Sequence, residues 1–276
     1  SIDKAVFNKK TWHFAYILTD YLRMKSIEEL FQTRTSIRRY KREPIEPEKI
    51  EFIYRAIQNT PTSYNGQQYS VIAVSDQAVK EQLYAITGQK QIKTCAIFLI
   101  FCVDFHKLHT FADATSIAFP RLQDSVDGLL VGVIDAALAM QNAVIAAEAL
   151  DLGSCCIGYT RTAAPKEIAS LLQLPEGVAV VCGLSIGYPA EHPSVKPKQP
   201  LPLIIHQNHY RSDDMSKELL EYNNTIKAYN AVRSGTQTGN DWGTHILDYH
   251  REALNYDLET YLDQQGFKLR KRFENQ

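Results

Sequence analysis

Between positions 127 and 150 apolar residues arrive almost without interruption, at Leu129, Leu130, Val131, Val133, Ile134, Leu138, Met140, Val144, Ile145 and Leu150. A helix there has almost no polar face, so it is expected in the centre of a core or in a subunit interface. A membrane span is the competing expectation for so apolar a stretch. Against it, Asp127, Asp135, Gln141, Asn142 and Glu148 would each be costly in hydrocarbon, and no positive flank anchors the ends. The pattern therefore predicts a buried helix.

The rest of the chain alternates shorter signals. Ser26 followed by Glu28 and Glu29 has the form of a helix start, with Ile27, Leu30 and Phe31 as its apolar stripe. Ile50, Ile53, Ala56 and Ile57 predict a helix over 47–59, which Pro61 ends. Strands are predicted at 70–74, 96–103, 155–160 and 178–186, with helices at 77–87 and 165–171 between them. This alternation indicates a mixed α/β or α+β architecture. Towards the C-terminus two helices, over 214–232 and 242–265, flank a polar loop at 233–241 that is expected to be mobile.

At 276 residues and 45% apolar content, the chain can bury the core of one large domain or two small ones. Lysine plus arginine (30) nearly cancel aspartate plus glutamate (31), so no net field favours nucleic acid or an anionic membrane, and any anion recognition has to be local. Cys95, Cys102, Cys155, Cys156 and Cys182 show no zinc spacing and lie in apolar runs, which predicts buried free thiols of a reducing compartment. No histidine pair has the spacing of a zinc site, so no metal is expected. Lys9 and Lys10 precede an apolar patch at 14–18 that Asp20 and Arg23 cut short; this reads as an amphipathic N-terminal helix of a cytoplasmic protein.

Local charge is where the chemistry shows. In Arg34-Thr35-Ser36-Ile37-Arg38 an extended backbone aims Arg34, Ser36 and Arg38 at one side, and Lys196-Pro197-Lys198 repeats the spacing. Such groups can cradle a phosphate with charge-assisted hydrogen bonds. A loop at 61–67 offers Thr62, Ser63, Asn65 and Gln67, with Gln89 further on, to the amide edges of a planar heterocycle. Gly158 permits close approach of backbone to a flat ring. Taken singly these pieces also read as solvated charges, turn formers, relief of strand crowding and, for Tyr159, ordinary packing. Together they describe a nucleotide-like site. Neither G-x-G-x-x-G nor G-x-x-x-x-G-K-[ST] occurs, which excludes Rossmann and P-loop versions of it.

These segments, with Thr87-Gly88-Gln89-Lys90, the helix carrying Gln141-Asn142, Cys156-Ile157-Gly158-Tyr159 and Lys196-Pro197-Lys198-Gln199-Pro200, occur in an order and with separations that resemble the FMN-dependent nitroreductases. The resemblance is to the branch of NADPH-dependent nitroreductases and flavin reductases with a long C-terminal helical extension. It implies an α+β fold with a central, mostly antiparallel sheet flanked by helices, in an intertwined homodimer with two shared FMN sites. It further implies an N-terminal helical extension over 1–25, an FMN-binding core over 26–213 and a helical extension over 214–276. Arg34, Ser36, Arg38, Lys196 and Lys198 would hold the FMN phosphate and nearby oxygens, with Thr35 in a related contact position. Thr62, Ser63 and Asn65 would reach the flavin from the other subunit, and Gln89 would meet a ring edge or ribityl oxygen. Backbone donors of Ile157, Gly158 and Tyr159 would lie near the ring. The flavin carries the chemistry, so no catalytic acid, base or nucleophile is expected.

The implied activity is two-electron, ping-pong transfer from NADPH to a small-molecule acceptor such as a nitroaromatic, a quinone or free flavin. A flavin reductase supplying reduced free flavin, and a flavin-binding protein without turnover, are the alternatives. Arg233 matches the first of the arginines that reach the NADPH 2′-phosphate in related enzymes. Thr238 and Gly239 stand where further arginines are expected, so the resemblance admits NADH beside NADPH as donor.

Overall fold

A computed structural model describes residues 25–234 and 240–269. The expected N-terminal helix and positions Thr238 and Gly239 lie outside the described residues. Four strands, β1 (Tyr69–Val74), β2 (Ile97–Asp104), β3 (Gly153–Ile157) and β4 (Val178–Gly187), form a sheet in the order β1-β2-β4-β3 with every neighbouring pair antiparallel. Helices α1 (Ile27–Thr33), α2 (Pro47–Gln58), α3 (Gln77–Thr87), α4 (Lys90–Thr94), α5 (His106–Thr115) and α6 (Val126–Ala149) precede β3. Between β3 and β4 come α7 (Tyr159–Thr162) and α8 (Pro165–Leu171), and after β4 come α9 (Ser216–Ser234), α10 (Trp242–Ala253) and α11 (Leu258–Gln264). The architecture is α+β, as the alternation of signals and the resemblance led one to expect.

Local chemistry fixes several of these boundaries. Ser26 accepts a hydrogen bond from the Glu29 amide and caps α1, while Asp76 accepts from Ala78 and Val79 and caps α3. Gly88, in the left-handed region at φ 68°, ends α3. Every residue of β2 is buried, because both faces of the strand are covered. On one face Ile97, Leu99, Phe101 and Val103 join residues of α2 and α6; on the other Phe98, Ile100 and Cys102 join Leu83, Ile92 and Ile168 from α3, α4 and α8.

Two compact units divide the described chain. One holds 25–193 together with 259–269, and the second is Ser194–Leu258. In the second unit α9 and α10 are joined by the Asn223 side chain accepting from the Gly243 amide at 2.7 Å and by an edge contact of the Tyr222 and Trp242 rings at 5.5 Å.

The structure refines several expectations. Within the single chain only one face of helix α6 is covered: its small residues Gly132, Ala136, Ala139 and Ala143 are buried, while Leu130, Ile134 and Leu138 are 52%, 54% and 41% exposed. A Cβ on Gly132 would lie 2.1 Å from Val103 Cγ2, so the small face has to meet the sheet and the bulky face is left outside. In α1 only Leu30 is buried, while Ile27 and Phe31 face outwards.

The strand expected at 155–160 runs instead over Gly153–Ile157. The chain turns at Gly158 as Thr160 Oγ1 donates to the Ile157 carbonyl and the Arg161 amide donates to that of Gly158. The helix expected over 242–265 is broken by a turn after Ala253, in which the Asn255 and Tyr256 amides donate to Glu252 and Ala253. Of the five thiols, Cys95, Cys102 and Cys155 are buried and Cys182 is half-buried, but Cys156 is exposed, because strand alternation turns it outwards while its neighbour points in. Burial pushes the Cys95 and Cys102 thiols up to about 12, which keeps them protonated and inert.

Candidate functional site

The Arg34–Arg38 segment is extended and lies along the outer edge of β3. Ser36 forms a parallel bridge with Ser154, and the Ile37 amide donates to the Ser154 carbonyl at 2.9 Å. Alternation then buries Ile37 and leaves Arg34 and Ser36 half-buried and Arg38 exposed. Two devices hold the segment straight. The Glu191 carboxylate accepts from the amides of Arg38 and Arg39 at 2.6 and 3.1 Å, and the Tyr40 hydroxyl donates to the Ile37 carbonyl at 2.7 Å and meets Ser185 Oγ at 2.8 Å. Burial pushes the Tyr40 phenol far above its ordinary value, so it remains a neutral brace. Among the described residues neither the Arg34 nor the Arg38 guanidinium is engaged in a salt bridge.

Because the bridge is parallel, the direction from Arg34 to Arg38 is also the direction along β3 towards Gly158. A Cβ on Gly158 would meet nothing within 4 Å, so this glycine does not relieve crowding inside the chain. It leaves open space over the backbone between Ile157, which is buried, and Tyr159, which is exposed.

The polar loop is held from below by helix α6. The Asp135 carboxylate, 1% exposed, accepts from the Ser63 amide at 3.2 Å and the Gln68 amide at 3.1 Å. Lys107 Nζ donates to the Gln67 and Tyr69 carbonyls, and Asn142 Nδ2 donates to the Ala56 carbonyl and Thr60 Oγ1, both at 3.0 Å. Inside this frame Tyr64, Asn65 and Gln67 all have positive φ, at 52°, 54° and 51°. Asparagine tolerates that region, whereas an aromatic residue there is strained by about 1–3 kcal/mol and persists only because its surroundings impose it. Sequence reasoning found the loop but not what anchors it; Asp135 stood out as a polar interruption of an apolar helix, and Asn142 also as part of the Gln141-Asn142 pair, neither with a partner assigned.

Gln89 follows the glycine that ends α3. Its Oε1 accepts from Nε2 of the buried Gln91 at 2.9 Å, which turns its own amide group outwards as a donor. Gln91 was not singled out from the sequence. Between this turn and the Arg38 segment lies a cavity of about 480 Å³, lined by Arg38, Arg39, Tyr40, Gly88, Lys90 and Thr94 as well as Gln91.

Glu148, on the last turn of α6, is buried, and its Oε2 is 3.8 Å from Lys25 Nζ while Oε1 has no hydrogen-bond partner. Burial raises its pKa, against the opposing charges of Lys25 and Arg34. Glu148 therefore marks the Arg34 end of α6, and Asp135 marks the loop. Thirteen residues separate them, about 20 Å along a helix axis. Within one protomer these two anchor points do not close on a single small group.

In the second unit Lys196 and Lys198 are exposed on an extended stretch that α9 holds: Tyr229 donates to the Ser194 carbonyl at 2.9 Å and Tyr222 to that of Pro197 at 3.3 Å. Arg233 lies in the last turn of α9 and not in the loop where the sequence placed it. Its guanidinium sits 6.0 Å from the Tyr229 ring centroid.

Comparison with known proteins identifies the family. Residues 31–188 match the model of the nitroreductase family, and residues 196–270 match that of the nitroreductase family, C-terminal domain. The chain is 36% identical to a Cr(VI) reductase of Pseudomonas sp. (strain G-1) over 87% of its own length and 98% of that protein's. It is 32% identical to the FMN reductase [NAD(P)H] of Bacillus subtilis, over 90% of this chain and all of the relative. The solved structure of the NfrA1 nitroreductase from B. subtilis superposes with a TM-score of 0.85 at 30% identity, covering 88% of this chain and 99% of that one. The protein belongs to the nitroreductase family.

Two predictions follow from the anchors. Asp135→Ala leaves the buried Gln68 amide and the half-buried Ser63 amide without their acceptor and should cost about 1–3 kcal/mol, read in urea unfolding, with faster proteolysis at the 61–67 loop. Glu148 has a folded pKa raised above its ordinary value, so its contribution to stability is fully present below the ordinary carboxylate pKa and is lost as pH rises through the folded value. Glu148→Gln should therefore gain stability relative to wild type as the pH is raised from about 4 to about 7, measured as the difference in unfolding free energy across that range.

Proposed function

We propose that the protein is a homodimeric, FMN-dependent NAD(P)H oxidoreductase that delivers two electrons to a nitroaromatic, a quinone or free flavin in a ping-pong sequence. The observation that carries this reading is the row of cations at Arg34 and Arg38, without a salt bridge among the described residues, laid along β3 beside the open backbone at Gly158. That arrangement fits a flavin mononucleotide: cations free to meet a phosphate, and a stretch of backbone over which no side chain projects. Bound FMN supplies the redox chemistry, accepting a hydride from the nicotinamide and passing electrons to the acceptor.

The chain's own part is to bind and orient. Arg34, Ser36 and Arg38 hold the phosphate and neighbouring oxygens, Thr35 contributes beside them, and the resemblance assigns Lys196 and Lys198 to the same group. Backbone of Ile157, Gly158 and Tyr159 lies against the ring, where fixed amide dipoles favour the charge that develops there. Gln89, pinned by Gln91, donates its amide to a ring or ribityl oxygen. Thr62, Ser63 and Asn65 serve the site of the second protomer, a role supported by the separation of the loop anchor from the Arg34 end of α6. The exposed apolar side chains of α6, with Ile27 and Phe31, are then interface and not membrane-facing, in keeping with a cytoplasmic dimer. The name of the B. subtilis relative favours free flavin among the acceptors.

Anaerobic titration of the purified yellow protein with NADPH and then NADH, followed by an acceptor, tests the whole reading; a flavin that neither donor bleaches would sink it. Arg38→Ala should weaken FMN binding about ten- to hundredfold, as expected for one charge-assisted hydrogen bond, measured by flavin fluorescence. Ile134→Glu, which places a charge in the exposed stripe of α6, should release FMN in step with dissociation to monomers, followed by sedimentation at flavin and protein wavelengths; a flavin-loaded monomer would contradict the shared site. Arg233→Ala should lower kcat/KM for NADPH by about two- to fivefold, the worth of one exposed ion pair, and leave NADH nearly unchanged in steady-state kinetics.

A further inference from the structure

The cavity beside Arg38 is larger than the end of a phosphate monoester requires. Its volume of about 480 Å³ lies within the range of sites that take whole small molecules, about 300–1,000 Å³. It also carries cations that the FMN reading leaves unused. Lys90 has no salt bridge among the described residues, and the exposed Arg39 has only a long ion pair, its Nε 3.8 Å from Glu191 Oε2, while Oε1 of that carboxylate accepts two backbone amides. No carboxylate lines the cavity. At Gly88 the wall is bare, since a Cβ there would meet nothing within 4 Å. The Thr94 hydroxyl donates to the Lys90 carbonyl at 3.3 Å and Gln91 Nε2 donates to Gln89, and among the described residues neither is hydrogen-bonded to the Arg39 or Lys90 side chain.

We propose that the ligand site continues past the flavin phosphate: this cavity takes a second phosphoryl group and the nucleoside attached to it, so that flavin adenine dinucleotide binds where FMN does, with Arg39 and Lys90 meeting the added phosphate. The inference rests on the assignment of Arg38 to the FMN phosphate. A diphosphate brings extra negative charge next to Arg38, and Arg39 and Lys90 are the lining cations placed to receive it. A site made for the monophosphate alone would have no use for two further cations around an open space of this size.

The test uses the full-length protein, freed of flavin and titrated with FMN and with the dinucleotide by flavin fluorescence, as wild type and as the Arg39→Ala, Lys90→Ala double variant. The wild type should bind the dinucleotide within about tenfold of FMN, and the double variant should weaken the dinucleotide at least about tenfold while leaving FMN affinity unchanged. An unchanged melting temperature confirms that the variant is folded. Binding of FMN with exclusion of the dinucleotide overturns the proposal, as does an equal loss of both ligands in the variant. Stabilisation of the FMN-loaded wild type by inorganic pyrophosphate, absent in the variant and without dinucleotide binding, also overturns it in favour of a free anion. A lowered kcat/KM for NADPH with unchanged dinucleotide affinity overturns it in favour of the electron donor. A protein that binds neither flavin overturns the flavin reading itself and the inference with it.

Discussion

How closely α6 approaches the sheet governs the rest of this structure. The 2.1 Å that would separate a Cβ on Gly132 from Val103 Cγ2 leaves no room for any larger residue on that face, and the buried alanines continue the constraint along the helix. Close approach has two results. It puts Asp135 near enough to the 61–67 loop for its carboxylate to collect two loop amides, and it forces Leu130, Ile134 and Leu138 to the outside. One packing constraint thus positions the polar loop of the candidate site and leaves an apolar surface outside the sheet.

The cation row depends on a different kind of support. Ile37 is the only residue of Arg34–Arg38 that is buried, and it fixes the phase of the alternation; the Tyr40 hydroxyl and the Glu191 carboxylate then hold the carbonyl and the amide of the peptide that follows it. None of these groups takes the arginine side chains as partners. The guanidinium groups stay available because the segment's polar needs are met through its backbone, which is how a charged strip can be both rigid and unpaired.

What the sequence made legible was whatever depends on near neighbours. The caps at Ser26 and Asp76, the proline that ends α2 and the glycine that ends α3 act over a few residues, and their elements appear close to where they were expected. The two-residue spacing of Arg34, Ser36 and Arg38 was legible for the same reason. Long-range partners were not. Nothing near Asp135 in the chain indicates that its carboxylate serves residues 63 and 68, and nothing near Gln91 indicates that it orients Gln89 across the turn. The apolar run of α6 left core and subunit interface open as alternatives, because hydrophobicity alone does not distinguish a small face packed on a sheet from a large face left outside it. Cys156 was misread: its apolar neighbourhood was visible, but the phase of the strand was not.

Strand β3 is the last in the sheet order, and among the described residues its outer edge is covered by the single bridge from Ser36 and the Ile37 amide. An unpaired edge of this kind is a template on which another polypeptide can extend the sheet without limit. Flanking charge is a common means by which proteins discourage that outcome. Arg34 and Arg38 therefore guard against aggregation whether or not a ligand is present, and a substitution chosen to alter binding at these positions also weakens the molecule's protection against self-association during folding.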